Sequence, residues 1–246
     1  MNRSSPPAHH DAGQVIKERM RQALRRSDDP EAREAVRTRL ESSAPTLIPA
    51  RADLEPEERV RLFIEQAKAV HADIERVESY TDLPEAIARY LRRHNLPMRL
   101  VRAADNHLDQ IDWEDGLFEI RTGRPDADDP VGLNAAFAGI AETGTLMLAS
   151  DTDHPTTLSF LPETAIIVLP NDRVARAYED ALHNFRASGA DLPRSINMIT
   201  GPSRSGDIEQ TLQLGAHGPK RLLIILVNEA SGKGSIADIP SSISNR

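Results

Sequence analysis

Cysteine does not occur among the 246 residues. Its absence excludes disulfides, a thiolate nucleophile and any cysteine ligand for an iron–sulfur cluster within the chain. Redox chemistry of that kind would have to sit on a partner. Aromatic residues make up only 4% of the chain, too few to build stacking platforms for single-stranded nucleic acid. Positive charge is short as well: 30 Lys and Arg against 38 Asp and Glu give a formal net charge of −8, which argues against a basic face for DNA or RNA. No apolar run approaches the roughly 18 residues that a membrane span needs, the longest lying near Leu222 to Val227. Met1 to Ala12 contain Arg3 but no apolar stretch of the kind a secretory signal carries. The expectation is a cytoplasmic protein with no nucleic-acid and no membrane partner.

What is present falls into four stretches. Residues 1–13, with Pro6, Pro7 and the pair His9-His10, read as a disordered tail. Residues 14–95 read as a helical N-terminal region. Ile16, Met20 and Leu24 share one helical face, and Asp28, Asp29 and Pro30 break that helix before a second one over Glu31 to Leu40. After Pro56, which a first helical turn tolerates, Val60, Phe63, Ile64, Ala67, Val70, Ile74 and Val77 recur at steps of three and four. This spacing predicts one long helix with a buried face. Asp82 with Glu85 resembles a capping box for a further helix to about His94. Residues 96–230 read as an α/β core and residues 231–246, rich in Ser and Gly, as a flexible tail.

Within the core, Met98 to Ala103, Leu117 to Arg121, Thr164 to Leu169 and Leu222 to Val227 read as strands, the last two fully buried. A helix is expected from Asn171 to Gly189 on the stripe Val174, Ala177, Tyr178, Ala181, Leu182 and Phe185. Alternation of strand and helix over residues 164–227 implies parallel pairing. Between the apolar runs 131–141 and 146–148 stand Glu142, Thr143, Gly144 and Thr145. A carboxylate in that position has to be paired, protonated or exposed in a cleft; a glutamate at a surface turn fits it equally well. Asp151, Asp153 and His154 have metal-compatible side chains, but their spacing names no metal, and a turn before Pro155 accounts for them too.

The stretch Ile199 to Gln210 reads as a strand, a glycine turn and a helix start. That geometry aims unpaired backbone N–H groups at an anion. Gly201, Pro202, Ser203, Arg204, Ser205, Asp207 and Glu209 would then line a site for a small carboxylate or phosphate, with Arg204 as a forked cation. A capped turn with no ligand fits the same residues. If this turn, His217 and the Glu142 turn meet beyond the strand C-terminal ends, Glu142 could serve as base or nucleophile and His217 as proton carrier. A core histidine at a glycine-flanked turn is the other reading of His217. No metal is assigned.

Three blocks carry a resemblance to a known family: Ala138 to Thr145, Gly201-Pro202-Ser203-Arg204 with Asp207-Ile208-Glu209, and Gly215 to Pro219. In these the chain resembles the lactate-utilisation protein C (LutC/YkgG-like) family with its LUD domain. Ser205-Gly206 and Ala216 depart mildly from the usual Thr-Ala and Val. The resemblance implies a layered, mainly parallel α/β sheet flanked by helices, similar to the NagB/RpiA/CoA-transferase fold, behind a helical N-terminal region. It also implies a role in oxidising L-lactate to pyruvate beside cysteine-rich and iron–sulfur proteins, with no cofactor bound by this chain. An alternative is a stand-alone CoA-transferase-like or phosphosugar-isomerase-like enzyme using Glu142.

Overall fold

The computed structural model describes residues 9–24, 29–41, 49–113, 116–189, 192–208, 211–215 and 217–228, with the backbone alone at 9–12, 40–41, 205–208 and 211–214. The expected tail at 231–246 lies outside the described residues. The chain divides into two compact units, residues 1–47 and 48–246. The first holds helices α1 (His9–Ala23) and α2 (Pro30–Glu41). Helix α1 thus begins inside the stretch read as a tail. At the start of α2 the Asp29 carboxylate accepts the Glu31 amide at 3.0 Å, satisfying a donor that the helix itself leaves unpaired.

The second unit is built on a six-stranded sheet whose pairs are all parallel. Its strands are β1 (Asp73–Val77), β2 (Arg99–Arg102), β3 (Glu119–Thr122) and β4 (Val131–Ala135), then β7 (Thr164–Pro170) and β12 (Arg221–Val227), in the order β1-β12-β7-β4-β2-β3. Every residue of β7 and all but the first of β12 are buried, so these strands need a covering layer on both faces. Alternation supplies one. Ile166, Val168, Leu223, Ile225 and Val227 face α4 (Leu83–Arg93), which presents Leu83, Ala86, Ile87, Tyr90 and Leu91. The capping carboxylate lies one turn earlier than expected: Asp82 accepts the Ser79 amide at 2.9 Å. Short helix α5 (Asn106–Asp109) follows β2.

Ala165, Ile167, Leu169, Leu222, Ile224 and Leu226 point to the opposite face, where α3 (Pro56–Ala69) inserts Val60, Phe63 and Ala67. Beyond α3 lies a second sheet in the order β8-β5-β6-β9. Its strands are β5 (Ala138–Ile140), β6 (Thr145–Ala149), β8 (Val174–Ala175) and β9 (Ile196–Ile199). Helix α6 (Tyr178–Ala187) covers its far side through Ala181 and Phe185, packed with Ile140 and Met147. The second sheet approaches α3 backbone to backbone. A Cβ on Gly144 (φ 66°) would stand 2.2 Å from the Ala67 amide nitrogen, and one on Gly201 (φ 75°) 2.3 Å from the Val70 carbonyl oxygen.

Three expectations are corrected. The period from Val60 to Val77 is not one helix: α3 ends at Ala69, His71 takes a positive φ of 68°, and residues 73–77 become edge strand β1. Strand β1 is thus an extended element among the helices of residues 14–95, and the first compact unit ends at Leu47. The segment after Gly201 is not a helix but an antiparallel hairpin of β10 (Arg204–Ile208) and β11 (Thr211–Leu214). Between β7 and α6 the chain makes a 3-10 turn at Asn171–Arg173 and then β8, so Val174 sits on a strand and the helix begins at Tyr178.

A charge lock closes the C-terminal end of β2. The His154 ring lies 3.1 Å from Asp105 through Nε2 and 3.0 Å from Asp151 through Nδ1. Asp105 is buried and also accepts the His107 amide at 2.9 Å. Burial alone would push the imidazolium toward deprotonation, but the hydrogen bonds and charges of Asp105 and Asp151 outweigh it and raise the His154 pKa to about 10. A histidine whose folded pKa is raised contributes stability that is fully present below its unfolded value, near 6.5, and is lost as pH rises toward 10. Urea unfolding should therefore show stability falling between pH 7 and 10, and His154→Gln should flatten that slope; an unchanged slope removes the lock.

Gly144→Ala should cost roughly 3 kcal/mol or more, since a left-handed residue must also displace backbone. Gly189→Ala, at a similar φ of 72° with open space around it, should cost about 1 kcal/mol. Equal losses in urea titrations of the two variants would contradict the close approach at α3.

Candidate functional site

The β5–β6 turn, residues 141–144, is held by Gly144 donating to the Ile140 carbonyl at 2.9 Å and Glu142 donating to that of Arg176 at 3.1 Å. The Glu142 side chain is 17% exposed, with its Oε1 3.4 Å from Nη2 of Arg51. It is therefore the paired carboxylate that the apolar flanks require. Arg176 sits beside it but is already engaged, bonding Asp180 at 2.7 Å and Asp53 at 2.9 Å.

Next to this pair four hydroxyls converge. Thr143 Oγ1 is 2.7 Å from Thr145 Oγ1 and donates to the Tyr178 hydroxyl at 3.2 Å. Thr145 Oγ1 is also 3.0 Å from Tyr178 and 2.7 Å from Thr200 Oγ1. Thr145 is fully buried, Thr143 and Tyr178 are half-buried, and Thr200 is exposed, so the network runs from the core to the surface. The register explains the meeting: β6 and β9 pair Leu146 with Ile199, which sets Thr145 beside Thr200, while Tyr178 opens α6 across the sheet from β5. Each hydroxyl can donate one hydrogen bond and accept two. Rotation of a few O–H groups turns such a cluster toward the oxygens of a carboxylate or phosphate.

The other expected residues form a second group. Ser203 donates its amide to the Pro219 carbonyl at 2.9 Å, its carbonyl accepts the Gly215 amide at 3.2 Å, and its hydroxyl accepts the His217 amide at 3.4 Å. Gly201, Pro202, Ser203 and His217 thus gather at the segment that leads into the first residue of β12, not beyond the strand C-terminal ends. The reason is that β9 joins the second sheet, antiparallel to β6. Arg204 and His217 are exposed. Because a hairpin replaces the expected helix, the dipole argument for an anion at this turn lapses. The side chains of Ser205 and Asp207, and all of Glu209, lie outside the described residues.

Three contributors were not legible from spacing. Tyr178 reads as part of an apolar stripe, Thr200 as the end of a strand, and Arg51 lies 91 residues from its partner. The adjacency of Thr200 to Gly201 was the available signal. At the Asp151 loop, His154 has both ring nitrogens taken by carboxylates, which makes it a charge lock.

Comparison with known proteins agrees with this architecture. Lactate utilization protein C of Shouchella clausii is 31% identical over 194 residues, covering 72% of this chain and 82% of that protein. An uncharacterized protein of Neisseria meningitidis serogroup B is 32% identical over 126 residues, and lactate utilization protein C of Geobacillus thermodenitrificans 38% over 109. In these last two the chain spans about half the relative's length, 53% and 45%. The crystal structure of a DUF162 family protein from Deinococcus radiodurans shares the fold, with a TM-score of 0.55, 22% identity and coverage of 71% of this chain and 99% of that one. Residues 60–227 match the model of the LUD domain, and the chain belongs to the LUD-domain family.

Proposed function

We propose that this protein is a non-redox, anion-binding component of a cytoplasmic L-lactate oxidation system, converting lactate to pyruvate together with iron–sulfur and cysteine-rich partner proteins. The observation that carries the reading is the hydroxyl cluster of Thr143, Thr145, Tyr178 and Thr200 beside the Glu142–Arg51 pair. Such a cluster suits a small hydroxy-acid or keto-acid carboxylate, which needs several hydrogen-bond donors and little else. Two further facts support it. The sequence holds no cysteine, which supports a division of labour in which cysteine-held iron–sulfur clusters belong to partners. Several relatives bear the name lactate utilization protein C. Glu142, mostly covered and next to the hydroxyls, favours one other reading: a stand-alone CoA-transferase-like or phosphosugar-isomerase-like enzyme with that carboxylate as base or nucleophile.

In a host lacking this gene, the wild-type chain at native expression should restore growth on L-lactate and co-purify an iron–sulfur protein. Thr145→Val should keep the partner while cutting lactate-dependent growth or binding on the order of tenfold, the loss expected when a buried hydroxyl cluster loses its central member. A chain that purifies alone, with Thr145→Val as active as wild type, contradicts the reading. If no partner appears and Glu142→Gln alone abolishes turnover of a CoA ester or phosphosugar, the stand-alone enzyme takes its place.

A further inference from the structure

A second polar cluster lies on the other side of the parallel sheet, between the C-terminal turn of α4 and the N-terminal ends of β1, β12 and β7. Alternation along the strands fixes its geometry. Asp73 shares a face with Val77, Arg221 with Leu223, and Thr164 with Ile166, all on the α4 side. Arg221 and Thr164 are register partners on neighbouring strands. Above them, the fully buried Tyr90 donates its hydroxyl to Asp73 at 2.9 Å, and His94, the residue that ends α4, packs its ring 4.4 Å from that of Tyr90.

Three polar atoms in this layer are covered from solvent and have no hydrogen-bond partner: Nη1 of Arg221, Oγ1 of Thr164 and Nε2 of His94. Thr164 is 0% exposed. Buried polar atoms left unpaired are rare because each forfeits its hydration, and here two sit on register partners at the N-terminal ends of β12 and β7 while the third belongs to His94, the cap of the helix above them. All three can donate: a guanidinium, a hydroxyl and an imidazole N–H. The charges facing the cluster lean positive. Arg221 stands on the sheet and the Arg93 guanidinium lies 5.4 Å over the Tyr90 ring, against the carboxylates of Asp73 and Glu163, the latter paired with Lys220. The negative end of the α4 dipole opposes an anion, but Arg92 and Arg93 in that last turn offset it. Burial first, then the hydrogen bond and charge of Asp73, hold the Tyr90 phenol above its ordinary pKa, so it stays a neutral donor committed to Asp73.

We propose that Arg221, Thr164 and His94 together bind a small oxyanion between α4 and the N-terminal edge of the parallel sheet. Three donors of this kind suit a small oxyanion such as inorganic phosphate, sulfate or a short carboxylate. None of these residues belongs to the Thr145 cluster, so this site stands or falls separately from the proposed function.

The test is isothermal titration and thermal unfolding of the full chain with sodium phosphate, sodium sulfate or sodium L-lactate, at ionic strength held constant with sodium chloride. Wild type should bind at least one oxyanion and rise in Tm as its concentration increases. Arg221→Gln and Thr164→Val should each weaken that binding by about tenfold or more. Thr164→Val, which removes an unpaired hydroxyl at nearly constant volume, should keep the wild-type Tm in chloride alone. A response to phosphate and sulfate identifies an inorganic ion, and a response to lactate alone identifies a carboxylate ligand. No oxyanion effect beyond chloride, or equal effects in wild type and both variants, overturns the proposal and leaves ordered water as the occupant.

Discussion

The α/β unit depends on how closely a sheet can lie on α3. That helix is covered on both sides: Phe63 and Ala67 meet the face of the parallel sheet, and the second sheet reaches the same residues from the other direction. Contact of this kind leaves no room for side chains between backbones. Gly139, Gly144 and Gly201 all stand where a Cβ would meet Phe63, Ala67 or Val70 at 3.0 Å or less. One helix therefore sets the position of the β5–β6 turn and of the end of β9. The turn carries Glu142, Thr143 and Gly144, and β9 leads into Thr200 and Gly201. The hydroxyl cluster sits along that seam, with Thr145 and Thr200 brought together by the β6–β9 register.

The sequence made the middle of the fold legible and misread its edges, for identifiable physical reasons. Continuous apolar runs at Thr164 to Leu169 and Leu222 to Val227 can hardly be anything but strands buried on both faces, and they are β7 and β12. The steps from Val60 to Val77 mislead because Val70, Ile74 and Val77 continue a helical period by coincidence. Burial on a short strand follows a period of two, and over five residues the two patterns overlap. The break falls at His71, whose positive φ no periodicity can reveal. After Gly201, the serines and Asp207 look like helix-capping chemistry, yet the same residue types favour hairpins, and the hairpin won.

For the site the lesson is similar. Glu142 and the flanking threonines stand out as polar residues between apolar runs, and the structure gives each of them partners. Ser203 and His217 do meet, at 3.4 Å, but at the entry to β12, because a strand assumed to join the parallel sheet joins the second one instead. Arg51, Tyr178 and Thr200 enter the cluster from three distant elements. Such convergence is a property of topology, which one sequence specifies without displaying.

Native-state hydrogen exchange tests the dependence of the β5–β6 turn on α3 most directly, by comparing the opening free energies of amides on that helix with those on β5 and β6. If the seam holds both, Ala67, Gly144 and Leu146 exchange through one shared opening of equal free energy. Exchange of the α3 amides through a separate, lower-energy opening, with β5 and β6 still protected, would contradict the account.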